Sequence, residues 1–372
     1  MRLSVFPDLS TKDGVTNENA RMTNALKEVR AIGDMVNIRP GLVTFVTYAG
    51  NGNGLVDFNG TLLALYGTNF VIPANGEFIS TSLPSNSPWR VITSPNKFVI
   101  FATSATSVAA SSDGISWTNG TLPSASNWSS GAWNGTVFAI ISDNSLNAAT
   151  STDGLSWISR AIPVSTAWDG GLVWNGTIFC ALSNFNAMTS LDGITWNNAI
   201  VTAPDVGSWV GLCWNGSKFC AVASEDTLTS TDGVTWVKHS VVMPSRILWR
   251  DTASNGEVFC AIAYNSNKVA VSVDGINWSE NTLPSISEWF GITWNGFYFY
   301  AIAVNSNNAA RSKDGIIWES MNTPIVGNWA FIESSNGGVL ATPYSGAIGQ
   351  LIKSTVIATL QDKTFDFVQS PI

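Results

Sequence analysis

Three regularities predict an all-β chain built as a β-propeller. An Asp-Gly-x-x-Trp element occurs six times, beginning at Asp113, Asp153, Asp192, Asp232, Asp274 and Asp314, at steps of 40, 39, 40, 42 and 40 residues. An Asn-Gly pair follows each copy by 21 to 23 residues, at Asn134, Asn175, Asn215, Asn255, Asn295 and Asn336, and Trp precedes four of the six. Proline recurs between these elements, at Pro123, Pro163, Pro244, Pro284 and Pro324. A repeat of roughly 40 residues, broken by turn residues every eight to ten, leaves no room for a three-turn helix. It does hold four short strands, which make one propeller blade.

Residues 209–244 show the unit. Trp209–Trp214, Phe219–Ala223, Leu228–Thr231 and Val234–Val237 are short apolar runs. Asn215-Gly216 separates the first two and Asp232-Gly233 the last two. Asn-Gly between alternating hydrophobics is expected as a type I′ corner, with positive φ at both central residues, and Asp-Gly as a second one. The Asp of each copy is expected to serve turn chemistry. Two further slots hold Trp in successive copies: Trp117, Trp157, Trp196, Trp236, Trp278 and Trp318, and then Trp128, Trp168, Trp209, Trp249, Trp289 and Trp329. Recurrence in every copy is expected of rings packing between neighbouring blades.

The outer copies are degraded. Phe58-Asn59-Gly60 precedes Leu62–Leu65, Asn75-Gly76 stands where Asp-Gly is expected, and Pro95-Asn96 opens another copy. At the far end, Gln350–Lys353 and Thr364–Val368 continue the pattern. The count predicts eight blades over residues 54–372, or seven if one terminal pair combines strands to close the ring. Closure removes exposed sheet edges.

Composition excludes several classes. The chain has 372 residues, 45% of them hydrophobic and only 12% charged, with 17 Trp. That is too apolar for a disordered chain, and its glycines lack the three-residue period of collagen. No run of about 18 apolar residues occurs, so no membrane segment is expected. A net charge of −8 argues against a basic face for nucleic acid. His239 is the one histidine, which excludes a multi-histidine zinc site. Cys180, Cys220 and Cys260 fill one slot of successive copies, and with Cys213 they are expected to be free, buried thiols of a reducing compartment. Met1–Pro7 has no apolar core, so no signal peptide is expected. No catalytic constellation, metal site or cofactor is expected.

Residues 1–53 differ and form a separate N-terminal segment. Six of the 18 basic residues lie in the first 40. A helix is expected near 17–32, where Met22, Ala25, Leu26, Val29 and Ile32 share one face. Thr16 or Asn17 would cap it and Gly33 would end it. Arg21, Lys27, Arg30 and Arg39 are the candidate partner contacts.

The runs Leu9–Gly14, Asn19–Asn24, Leu26–Glu28 and Arg39-Pro40-Gly41-Leu42, with Gly54-Leu55 and Phe58–Leu62, resemble the head of the tail-hub and packaged-DNA stabilisation proteins of short-tailed bacteriophages. That resemblance covers about the first 70 residues, and the remainder as architecture alone. It implies a structural protein of the virion tail, assembled in the host cytoplasm, and no enzymatic residues. It would form a homo-oligomeric ring, commonly of six copies, below the portal and adaptor. There it would retain packaged DNA and guide its exit without sequence-specific binding. Its partners would be the adaptor, the portal and a tail fibre or spike.

Two other readings compete. The regular aromatic pairs suit a receptor- or glycan-binding propeller of a tail fibre. Ser112-Asp113-Gly114-x-x-Trp117 and its copies resemble the Asp box of sialidases, with one residue missing between Asp and Gly. A sialidase-like hydrolase needs clustered arginines and a Tyr nucleophile with an acid partner. The propeller region offers Arg90, Arg160, Arg246, Arg250 and Arg311, and Tyr298 and Tyr300 as tyrosines.

Overall fold

The computed structural model describes residues 77–352, apart from 169, 201–208, 241 and 336–337, together with the backbone of five strands outside that range. The chain forms two compact units, one of residues 75–353 and one of residues 1–74 with 354–372. Among the described residues there is no helix. The helix expected near 17–32, with Arg21, Lys27, Arg30 and Arg39, lies outside them.

The larger unit is a β-propeller of seven four-stranded antiparallel blades. Each blade's first strand is innermost. These inner strands are Trp89–Ser94, Trp128–Trp133, Gly171–Trp174, Val210–Trp214, Trp249–Ser254, Trp289–Trp294 and Trp329–Ser335, and each neighbours the next around a central axis. Blade 4 shows the pattern, running outward through Phe219–Val222 and Thr227–Ser230 to Val237–His239. The preferred count of eight blades therefore gives way to seven. The ring closes by the combination of terminal strands: Ile79–Ser82 is the outer strand of the blade whose other strands are Trp329–Ser335, Gly338–Pro343 and Ile348–Ile352.

The propeller also begins later than residue 54. Gly54–Phe58, Thr61–Tyr66 and Asn69–Ile72 belong to a five-stranded antiparallel sheet of the smaller unit, flanked by Leu42–Val46 and Thr355–Thr359. An Asn-Gly hairpin with apolar flanks suits any antiparallel ladder. The element specific to a blade, Asp-Gly-x-x-Trp, is missing from that stretch, and this is why the hairpin there misleads.

The repeated Trp at the head of each inner strand is buried, from Trp89 to Trp329. It lies in an apolar layer shared by two blades, as Trp128 does with Phe101, Val108, Phe138 and Ile140. Six such layers are seen, including one joining the last blade to the first through Leu340 and Leu351 with Trp89 and Ile100. Burying roughly 200 Å² of ring at about 25 cal/mol/Å² contributes up to about 5 kcal/mol per Trp. The third Trp set, before Asn-Gly, packs on the next strand's Phe, with Trp133–Phe138 centroids 4.3 Å apart and Trp214–Phe219 4.6 Å. The four thiols are free and buried.

The turns differ from the expected type I′ corners. Asn134 has no positive φ, whereas Gly135 has φ +100°. The loop spans four residues, closed by Asn134 N–H on the Val137 carbonyl at 3.1 Å. The Asn134 side chain accepts from the Thr136 and Val137 amides at 2.9 and 2.7 Å. Each Asp-Gly loop is built likewise. Asp153 Oδ1 accepts from the Leu155 and Ser156 amides, both at 2.8 Å, and from the Ser151 hydroxyl at 2.9 Å, while Trp157 Nε1 donates to the Gly154 carbonyl at 3.1 Å. Gly154 has φ +78°, and a Cβ there would stand 2.6 Å from Val99 of the preceding blade. The sequence pattern thus marks side-chain acceptors that satisfy loop amides.

Closure carries a direct prediction. Thr81 faces Gly349 in the closing ladder, and its hydroxyl donates to the Gly114 carbonyl at 2.6 Å. Thr81→Pro removes the amide and the hydroxyl together. It should destabilise the propeller by about 3 kcal/mol or more in urea unfolding. An exposed outer-strand substitution, Asn119→Thr, should change the unfolding free energy by no more than about 0.5 kcal/mol.

Candidate functional site

The inner strands surround a channel that opens, at the end where those strands begin, into a cavity of about 260 Å³ lined by all seven blades. Its two halves differ. Blades 2 to 4 contribute small residues, Ser130, Gly131, Gly170, Gly171 and Gly211, which leave the space open. Glycine is required at 211 by close approach: its φ is +57°, and a Cβ would meet the Thr252 amide at 2.5 Å. Thr252 Oγ1 donates to the Gly211 carbonyl at 2.5 Å, tying the inner strands of blades 4 and 5. Ser130 Oγ likewise accepts from the Leu172 amide at 2.8 Å.

Blades 5, 6, 7 and 1 carry the chemistry. The Arg250 guanidinium lies over the Phe290 ring at 3.8 Å and the Arg90 guanidinium over Phe331 at 4.1 Å. The two rings meet edge to face at 6.4 Å, and Tyr344 packs against both at 5.2 and 5.4 Å. The order across four blades is therefore Arg-Phe-Phe-Arg, each cation held on a ring by attraction of about 0.5–2 kcal/mol. Beside it, Glu288 accepts from Asn305 Nδ2 at 2.7 Å.

Three carboxyls line the same cavity, those of Asp143, Asp251 and Glu333, and Asp143 Oδ1 accepts from the Trp168 amide at 2.9 Å. Asp251 Oδ1 accepts from the Thr252 amide at 2.8 Å, and its Oδ2 accepts from the Ile292 amide of the next blade at 3.0 Å. Burial pushes this carboxyl up to about 6, against the opposing pull of those amides and of Arg250. Glu333 opens part of its surface to the channel but is enclosed by protein. That enclosure, with the Asp251 charge adding to it, pushes its carboxyl up to about 8, and the Ser334 amide opposes. Burial and the neighbouring Asp251 charge both oppose ionisation of Glu333.

The turn residues Asp113, Asp153, Asp192, Asp232, Asp274 and Asp314 do not line this cavity. Burial alone would raise the Asp113 and Asp153 carboxyls, but the loop amides and hydroxyls outweigh it and hold both at about 2. His239 stands on an outer strand, 2.9 Å from Thr229 Oγ1. Arg246 is exposed beside Glu225, and Arg160 donates to Thr150 Oγ1 at 3.0 Å. Arg311 pairs with Glu319 at 2.7 Å and lies 4.9 Å from the Tyr298 ring centroid, with Tyr300 buried nearby. Of the five arginines named from the sequence, Arg90 and Arg250 reach the cavity.

Asp251 and Glu333 escaped the sequence reading, although a signal exists. Two residues after the inner-strand Trp, the other copies carry the uncharged Val91, Ser130, Gly170, Gly211, Gly291 and Phe331, whereas blade 5 carries Asp251. Departure from the repeat marks a residue that the scaffold does not require. Glu333 is harder to see, because the spacing from Trp329 to Asn336 is one residue longer than in blades 2, 4, 5 and 6.

The fold and this channel define a seven-bladed propeller with a polar, aromatic-walled mouth. No family model matches the sequence, and no curated protein does. Among solved structures the chain is similar to a streptogramin B lyase, at 11% identity over 74% of this chain and 96% of that one, with a TM-score of 0.62. It is also similar to a virginiamycin B lyase from Staphylococcus aureus, at 12% identity over 76% and 99%, TM-score 0.61. YCF48 from Cyanidioschyzon merolae matches at 14% identity over 75% and 98%, TM-score 0.56. At such identities the likeness is one of fold.

The titrations predict a pH profile. Asp113 and Asp153 have depressed folded values, so their contribution is present above about pH 4 and is lost as pH falls toward 2. Asp251 and Glu333 have raised values, so stability is greatest when they are protonated and declines as pH rises through about 6 and about 8. Thermal unfolding should therefore peak near pH 4–5. Glu333→Gln should flatten the alkaline limb and melt above the wild type at pH 8.5. An E333Q profile that overlays the wild type would contradict the burial of that charge.

Proposed function

We propose that this chain is a structural subunit of a short-tailed phage tail, a hub or nozzle that holds packaged DNA and guides its exit. The observation that supports it best is the division of the chain. Residues 1–74 carry the resemblance to tail-hub heads. With residues 354–372 they form a unit of their own, while 75–353 close into a separate propeller. A head that recruits tail partners and a rigid block that fills space are the two parts such a subunit needs.

The propeller suits the second part. Its blades are joined by shared apolar layers and by side-chain bonds such as Ser334 Oγ to the Trp294 carbonyl at 2.8 Å. A net charge of −8 repels DNA and lets it slide. The Trp rings on which a glycan-binding reading leans are largely buried between blades.

Deletion tests the assignment of roles. A chain lacking residues 1–40 should keep a cooperatively melting β-propeller but fail to complete tails in an assembly assay with the remaining virion proteins. Tails completed by the truncated chain would overturn the adaptor role of the head.

A further inference from the structure

We propose, independently of the tail assignment, that the channel mouth binds a small aromatic monocarboxylate, held by the fork of the Arg250 guanidinium.

Arg250 stands one residue after the inner-strand Trp249, and its guanidinium lies 3.8 Å over the Phe290 ring of the next blade. Both residues line the cavity. Phe290 is itself held, with Phe331, Tyr344 and Tyr264 edge to face against it at 6.4, 5.2 and 6.5 Å. A guanidinium stacked on a held ring keeps its plane, so its N–H groups leave the edge of that plane as a rigid fork. Among the described residues those donors have no hydrogen-bond or ion-pair partner, and the ion pairs seen lie elsewhere, at Lys238–Asp226, Arg246–Glu225, Lys268–Glu280 and Arg311–Glu319. A carboxylate is the planar group that accepts two parallel N–H bonds from such a fork.

The walls set the body of the ligand. Phe290 and Phe331 make one side of the cavity, on blades 6 and 7. Blade 3 stands across the ring from them and contributes Gly170 and Gly171, which carry no side chain into the space. A flat ring fits between an aromatic wall and a bare backbone wall, at the offset or edge-to-face spacings that rings prefer. The volume of about 260 Å³ is below the roughly 300 Å³ at which sites for drug-sized ligands begin, so the ligand is small.

The other charged groups set its charge. Asp143, Asp251 and Glu333 line the same cavity. Asp143 Oδ1 and both Asp251 oxygens are engaged by backbone amides. These acids oppose a second negative charge on the ligand, which favours a monocarboxylate over a phosphate dianion. Arg90 lines the cavity too, stacked on Phe331 at 4.1 Å, and no contact with the ligand is assigned to it.

Calorimetric titration of the full chain at pH 7.5 decides, with benzoate, acetate, inorganic phosphate and uncharged benzyl alcohol as probes. Benzoate is expected to bind saturably, at least about fivefold tighter than each of the other three. Arg250→Gln should weaken benzoate roughly tenfold or more. Arg250→Lys, which keeps the charge and loses the planar fork, should weaken it by about threefold or more, and it replaces the Gln variant if that chain does not melt cooperatively. No saturable heat with benzoate, a smaller margin over acetate, phosphate or benzyl alcohol, or unchanged benzoate affinity in a folded Arg250 variant would each overturn the proposal.

Discussion

The ladder between Ile79–Ser82 and Ile348–Ile352 is the constraint on which the rest of the propeller depends. It joins residues about 270 apart in sequence, so its loop-closure cost is met only when the six intervening blades have formed. Without it the last blade would lack its outer strand. Its removal would also weaken the layer in which Leu340 and Leu351 meet Trp89 and Ile100. Further contacts fasten the same seam, with Thr342 Oγ1 on the Trp89 carbonyl at 2.8 Å and Ser335 Oγ on the Ser94 carbonyl at 2.6 Å. Closure by strands from both ends of the unit couples all seven blades.

Closure also creates the channel, and the channel breaks the economy of the repeat. In the turns and between inner strands, polar side chains such as Asp153, Asn134 and Thr252 satisfy loop amides or tie neighbouring strands. Asp251 does this too, bridging to the Ile292 amide, but at the cost of an enclosed charge. Glu333 has no comparable bridging role among the contacts seen. Residues that oppose stability and lie around a shared cavity are where a repeat scaffold carries function. The Arg-Phe-Phe-Arg ladder adds to that case, because its four members come from four blades and do not follow the repeat.

Much of the fold was legible in the sequence because turn chemistry is local. An Asp or Asn that caps its own loop amides must stand at a fixed offset from its Gly, so Asp153-Gly154 and Asn134-Gly135 announce strand boundaries. The expected turn type failed because the side chain, and not a second positive φ, closes the loop. The blade count failed at the ends because Ile79–Ser82 pairs with a partner that no local pattern can name. The channel was less legible still. Residues of one inner strand face those of six others, so proximity of Asp251, Glu333, Arg90 and Arg250 follows from ring closure and not from spacing along the chain.

The proposed role in a virion tail leans on the closed propeller, the second compact unit and the acidic balance. The direct test is immunogold labelling of intact phage particles from the source of this sequence, with an antibody raised against residues 75–353. Gold confined to the tail is the expected result. Intact particles free of label, with the protein soluble in the lysate, would contradict the tail assignment and leave the channel mouth as the functional centre of a free propeller.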